Sequence, residues 1–302
     1  MDTETVPQPR PPAALPAGPA PVPTAAAGVF LGPPAYERLV TTLRSAVDGM
    51  ADAGTEAPLA VPPVIAREVV ERAGYVRSFP QLLGTVHSFG GSRREWLRLS
   101  RLVQGGDWHQ RQEVTDLVLL PAACYHAYPL LAGTVLPGPR QLCLHGTCFR
   151  QEASAEIGRL RSFRMSELVR IGSAAECERW RDDWVGRLAD WLRGLGLSVD
   201  VEVADDPFFG TGDTLLRDSQ REQRLKWELR VPLGGGVIQA VASANCHLDH
   251  FGTAFDIGIG DGPAHSACVA FGLDRIALAL VAAHGADLSG WPASAREALA
   301  DG

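Results

Sequence analysis

The segment CFRQEASAEIGRLRSFRMSELVRIG, residues 148–172, constrains the fold of this chain more than any other stretch. QLCLHGTCFRQ and RSFRMSELVRIG read as strands, and the polar residues 153–161 between them predict a loop. Strand alternation sets Arg150 and Glu152 on a different face from Phe149, and it separates Phe163, Met165 and Glu167 from Arg164. One sheet face would then carry Arg150, Glu152, Phe163 and Glu167. Read alone, the same unit also fits a hairpin with surface ion pairs, each worth about 0–1 kcal/mol.

Helices and further strands surround this unit. YERLVTTLRSAVDGMADAG has helical periodicity closed by glycine, PPVIAREVVERAGY reads as a helix entered through proline, and REWLRLSRLVQ as an amphipathic helix. SAAECERWRDDWVGRLADWLRGLG predicts a long helix with Ser173 as its cap and Gly194 or Gly196 near its end. DLVLLPAAC and LSVDVEVA read as strands, WELRVPLGGGVIQAVASAN as two strands about a glycine turn, and SACVAFGLDRIALALVAAH as a strand running into a helix. Clustered strands with helices outside them predict an α+β domain on a mainly antiparallel sheet, flanked by helices and spanning residues 34–302. Residues 1–33 are Pro, Ala and Gly with almost no large apolar side chain, which predicts a disordered tail. A transit peptide fits less well, because the segment holds one arginine and carries Asp2 and Glu4.

The formal net charge of −7 argues against broad binding to phosphate backbones. No apolar run reaches the roughly 18 residues of a membrane span. Cysteines stand at 124, 143, 148, 177, 246 and 268, with no CxxC and no secretory signal, which predicts a reducing cytoplasm and free thiols or a metal site.

Arginine suits phosphate, because its planar fork makes two parallel charge-assisted hydrogen bonds. A second arginine stands at a strand-to-helix junction in CVAFGLDRIALAL, where Gly272 allows close backbone packing and Arg275 falls in the first helical turn. Alone, it reads as an ordinary helix start. Together, the two segments resemble motif 2 and motif 3 of the class II aminoacyl-tRNA synthetases, in the seryl-type branch with a catalytic zinc. More narrowly, the chain resembles the amino acid:[carrier protein] ligases, truncated homologues of that branch without a tRNA-binding domain. AGYVRSFPQLLGTV, ACYHAYP, DPFFG, QREQRLKWEL and SANCHLDHFG support the match, which runs from about residue 60 to about residue 284.

The resemblance implies a class II synthetase-like catalytic core and a role for each matching residue. Arg150 would hold the α-phosphate of ATP and Arg275 the far phosphate, both acting in catalysis. Glu152 would read the adenine amino group and Phe163 would stack on the ring. Cys124, Glu167 and Cys268 match the ligands of a catalytic Zn2+, whose open fourth position would take the substrate amine. Ser243, Asn245 and Glu228 lie where relatives approach ATP, its Mg2+ or the substrate. Gln239 departs from the pattern, falling where seryl enzymes carry a Mg2+-binding glutamate. Pro80 would match the proline of the motif 1 dimer interface, implying a homodimer. Cys246, His247 and His250 form a rival metal set of irregular spacing, better read as a polar network.

The acceptor implied by the family is the phosphopantetheine arm of a small acidic carrier protein. The near-absence of surface beyond the core and the acidic balance both point away from tRNA. Arg217, Arg221, Arg224 and Lys226, in LLRDSQREQRLK, offer a docking face, although interleaved acids also fit a solvated helix. The substrate implied is glycine or alanine. The alternatives are a synthetase-like enzyme acting on tRNA or another acceptor, and a catalytically silent paralogue that binds an amino acid or nucleotide.

Overall fold

The computed structural model describes residues 20–152, 156–209, 213–285 and 287–300. Seven strands make the central sheet: β1 (Leu59–Ala60), β2 (Arg140–Phe149), β3 (Ser162–Gly172), β4 (Asp200–Val203), β5 (Lys226–Gly234), β6 (Val237–Leu248) and β7 (His265–Gly272). Their spatial order is β4-β5-β6-β7-β3-β2-β1. All neighbours are antiparallel except β1, which runs parallel to β2 at the edge. A smaller sheet lies beside it, with Glu113–Leu119 between Val64–Ala66 and Thr85–Ser88. The α+β architecture expected from the strand pattern is the one observed.

The central sheet divides the core in two. On one face Leu168, Val269 and Leu229 pack with helices α1 (Pro34–Met50), α2 (Ala174–Gly194) and, further along, α5 (Leu273–His284). On the other face Met165, Val169 and Cys148 pack against Tyr125, Tyr128 and Phe251, the last from the short helix α4 (His250–Phe255). Adjacent residues such as Leu168 and Val169 belong to different clusters, as the twofold period of a strand requires. Ser173 caps α2 through a reciprocal capping box with Glu176, and Gly196 turns the chain away at φ +78°. Helix α3 (Asp213–Glu222) links β4 to β5.

Two local expectations change. Within PPVIAREVVERAGY the helix starts only at Arg67 and ends at Arg72, because Val64–Ala66 pairs with Leu117–Leu119 instead, and Tyr75 opens a separate turn of helix. The tail boundary also moves. Residues 1–19 lie outside the described residues, but Val22–Pro23 pairs with Phe30–Leu31 in a small hairpin. The Gly28 carbonyl accepts a hydrogen bond from the Arg161 amide at 2.7 Å, and Val22 is buried. Main-chain bonding anchors this hairpin, so its poverty in large side chains does not prevent order. Among the described residues, no helix is long and apolar enough to cross a membrane.

A buried charge network ties α1, β3 and α5 together. Asp274, in the first turn of α5, accepts from the Tyr36 hydroxyl at 2.8 Å, the Arg164 amide at 2.5 Å and the Arg164 guanidinium at 2.6 Å. Arg164 also reaches Glu37. Removing one partner strands the others in a dry site. Asp274→Ala is expected to lower stability by about 3 kcal/mol in urea unfolding. A loss well under 1 kcal/mol would mean that the network does not hold these elements.

Candidate active site

Sheet register assembles the site. Glu167 of β3 stands opposite Leu144 of β2 and Ala270 of β7, while Cys268 of β7 stands opposite Asn245 of β6. Ser243 and Asn245 in turn face Glu228 and Lys226 of β5, and Phe163 faces Cys148. Alternation turns this whole set to the face that packs on Tyr125 and Phe251. From across that face, the helical turn Ala123–His126 brings Cys124 down onto the sheet.

Cys124, Glu167 and Cys268 are all buried, and their candidate ligand atoms lie within 4.8 Å of one another. The Ala123 amide donates to Glu167 Oε1 at 2.7 Å. Burial, with the charge of Cys268 adding to it, pushes the Glu167 carboxyl up to about 7. A hydrogen bond between the two thiols pushes Cys124 up and Cys268 down. Asn245 Nδ2 and His247 Nε2 approach Cys268 Sγ at 3.4 and 3.6 Å. Two sulfurs and one carboxylate converging in a dry pocket are a donor set that fits zinc, leaving one tetrahedral position for a further ligand.

The same cavity, of about 560 Å3, contains Arg150, Arg275, Glu152, Phe163, Glu228, Ser243 and Asn245. Arg150 donates through Nε to the Pro121 carbonyl at 3.3 Å, and its guanidinium lies 5.6 Å from the centre of the Phe163 ring. Arg275 donates to the carbonyls of Gly158 and Ala240, each at 2.9 Å. Burial, reinforced by the positive charge of Arg150, holds Arg275 down to about 10. These carbonyl partners leave both cationic charges available to an anion. The Gly158 carbonyl belongs to the polar loop, at φ +82°, where a side chain would collide with Leu233 and Gln239. Glycine therefore lets that loop close against Arg275.

The remaining residues of interest lie in several places. Gln239 turns from the cavity and donates to the Ile157 carbonyl at 2.9 Å, so it steadies the polar loop. Lys226 does not lie on the docking helix. Helix α3 ends at Glu222, Arg224 adopts a left-handed φ of +50°, and Lys226 opens β5. There it pairs with Asp206 at 2.8 Å and Glu228 at 3.0 Å, inside the cavity. Burial opposes ionisation of Asp206, but Lys226 outweighs it and holds the carboxyl below its usual range. Arg217 donates to the Phe208 carbonyl at 2.7 Å and Arg221 pairs with Asp205, while the Arg221 and Arg224 side chains remain exposed. The rival metal set is dispersed: Cys246 sits on the other face of β6, and His250 bonds the Ala73 carbonyl at 2.9 Å. Pro80 is exposed in the turn after the helix Tyr75–Ser78.

No family model matches the chain. Over 277 residues it is 43% identical to amino acid–[acyl-carrier-protein] ligase 1 of Bradyrhizobium diazoefficiens, covering 90% of this chain and 85% of that one. The chain belongs to the amino acid–[acyl-carrier-protein] ligase family. A second such ligase from the same organism is 41% identical, with 90% and 83% of the two chains covered. In fold, this ligase matches a seryl-tRNA synthetase of M. kandleri, solved with A. aeolicus tRNASec. The TM-score is 0.76 at 23% identity, across 91% of this chain and 57% of that one. The chain therefore shares its fold with seryl-tRNA synthetases.

Nothing in RLKWEL marks the change from helix to strand that carries Lys226 into the pocket. Its removal would leave Asp206 and Glu228 without their shared cation. Lys226→Met is expected to cost this ligase about 3 kcal/mol, read as a lowered urea midpoint. An unchanged midpoint would place no structural weight on the pair.

Proposed function

We propose that this ligase uses ATP to activate glycine or alanine and passes the aminoacyl group to the phosphopantetheine thiol of a small acidic carrier protein. The observation that carries this reading is the sharing of one cavity by the Cys124–Glu167–Cys268 cluster and by Arg150 and Arg275. An amine-orienting group and a polyphosphate grip then stand over the same sheet face.

In the first reaction, a substrate carboxylate oxygen attacks the α-phosphorus. A P–O bond forms, the α–β anhydride bond breaks, and pyrophosphate leaves with the electron pair. Arg150 is suited to stabilise the charge that develops on the α-phosphate, and Arg275 to hold the far phosphate. Phe163 offers a ring face to the base, with Glu152 at its edge. Zinc, bound by Cys124, Glu167 and Cys268, would supply an open position for the neutral substrate amine. Asn245 and His247 steady the Cys268 sulfur, and Ser243 bonds Asn245 at 3.1 Å. Glu228 remains a candidate for approaching Mg2+, in competition with Lys226. In the second reaction, the carrier thiolate attacks the aminoacyl carbonyl, a thioester forms, and AMP leaves.

ATP–pyrophosphate exchange over a panel of amino acids tests the first half. Glycine or alanine is expected to support exchange in zinc-loaded protein, and Arg150→Ala and Arg275→Ala to lower it by roughly 10²–10³-fold each. No exchange with any amino acid would refute the reading and leave the silent paralogue. Zinc removal by chelation, or Cys268→Ser, should abolish exchange with the fold retained by circular dichroism. Unaltered exchange in metal-free protein would rule out zinc. For the second half, reversing Arg221 and Arg224 to Glu should slow transfer to the carrier at least several-fold while exchange continues. An equal fall in both reactions would discard this docking face.

A further inference from the structure

We infer that Asp48, Cys143 and His145 form a second metal site, a three-ligand zinc site on the sheet face opposite the catalytic cavity. Cys143 and His145 are two residues apart on β2, so alternation turns both to one face, toward α1. Asp48, in the last turn of α1, meets them there. Its Oδ1 lies 2.7 Å from His145 Nε2 and 3.5 Å from Cys143 Sγ, and Sγ lies 3.6 Å from Nε2. The two longer separations are those of neighbouring donors around a tetrahedral ion at roughly 2.0–2.3 Å. The shortest is a hydrogen bond, which must open by about 0.5 Å to admit the ion.

Three further features favour zinc. The mixed sulfur, nitrogen and oxygen set suits it better than magnesium or calcium, which take oxygen donors. His145 is already oriented: its Nδ1 lies 2.7 Å from Oγ of the fully buried Ser166, which aims Nε2 at the other two donors. Such an outer hydrogen bond commonly fixes a metal-ligating imidazole. Finally, the Asp48 side chain is 35% exposed, so solvent reaches the edge of the cluster, and His145 borders a cavity of about 340 Å3. The guanidinium of Arg44 opposes a cation there, and the Asp48 carboxylate offsets it, joined by the Cys143 sulfur once zinc displaces its proton. The ion would clamp the end of α1 to β2, adding to the Ser166–His145–Asp48 hydrogen-bond chain and to the packing of Val47 with Cys143.

Metal content per chain, by elemental mass spectrometry after exhaustive dialysis into metal-free buffer, tests the site. Wild-type protein should hold two zinc ions. Cys143→Ser and Cys124→Ser should each hold one, and the double variant none. Asp48 is 35% exposed at its side chain, so Asp48→Asn should fold, lose one ion and keep ATP–pyrophosphate exchange. In cobalt-loaded Cys124→Ser protein, thiolate-to-metal charge-transfer absorption should persist, and it should vanish when Cys143→Ser is added. If Cys143→Ser and Asp48→Asn leave the zinc content unchanged, the three residues are a hydrogen-bonded cluster only and the inference is overturned. If instead Cys124→Ser loses no ion while Cys143→Ser does, this site stands and the catalytic zinc falls.

Discussion

The arrangement turns on Glu167, a carboxylate only 1% exposed in the middle of a seven-stranded sheet. Ionising such a group without a partner costs several kcal/mol. Its nearest neighbours are one amide donor, from Ala123, and two thiols. An amide alone is a weak answer to a full charge, whereas a divalent cation shared with Cys124 and Cys268, as proposed, would remove the penalty. The thiols reach Glu167 because β7 pairs directly with β3 and the turn Ala123–His126 packs onto the sheet.

The two faces of the sheet perform separate tasks. The face toward α1, α2 and α5 is a large apolar core, and its polar network at Asp274 fixes where α5 begins. Asp274 and Arg275 are consecutive, so anchoring the first of them sets the second over the cavity on the other side. Gly272 assists, since a β-carbon there would come within 3.1 Å of the Val241 carbonyl. Stability on one face thereby becomes placement on the other. The polar loop closes the arrangement, with Gly158 touching Arg275 and Gln239 holding Ile157.

Much of this was legible in the residues, and the limits have physical causes. Alternation along SFRMSE alone sets Phe163 and Glu167 on a common face. It carried no information about partners distant in the chain. Cys268 and Cys124 meet Glu167 through strand order and through a turn, neither of which has a local signal, so only a family resemblance pointed to them. Lys226 was misread because helical spacing continues on paper through QREQRLK, while the chain breaks its helix at Glu222 and bends at Arg224. The hairpin at Val22–Leu31 escaped because it depends on main-chain bonds at Gly28, to which composition is blind.

Intact-mass analysis of a phosphopantetheine-bearing carrier protein, incubated with the zinc-loaded enzyme, ATP and mixed amino acids, tests the central claim most directly. The account predicts a gain equal to one glycyl or alanyl group, lost on treatment with hydroxylamine, which cleaves thioesters. An unchanged carrier mass under conditions where the enzyme forms the adenylate would contradict it.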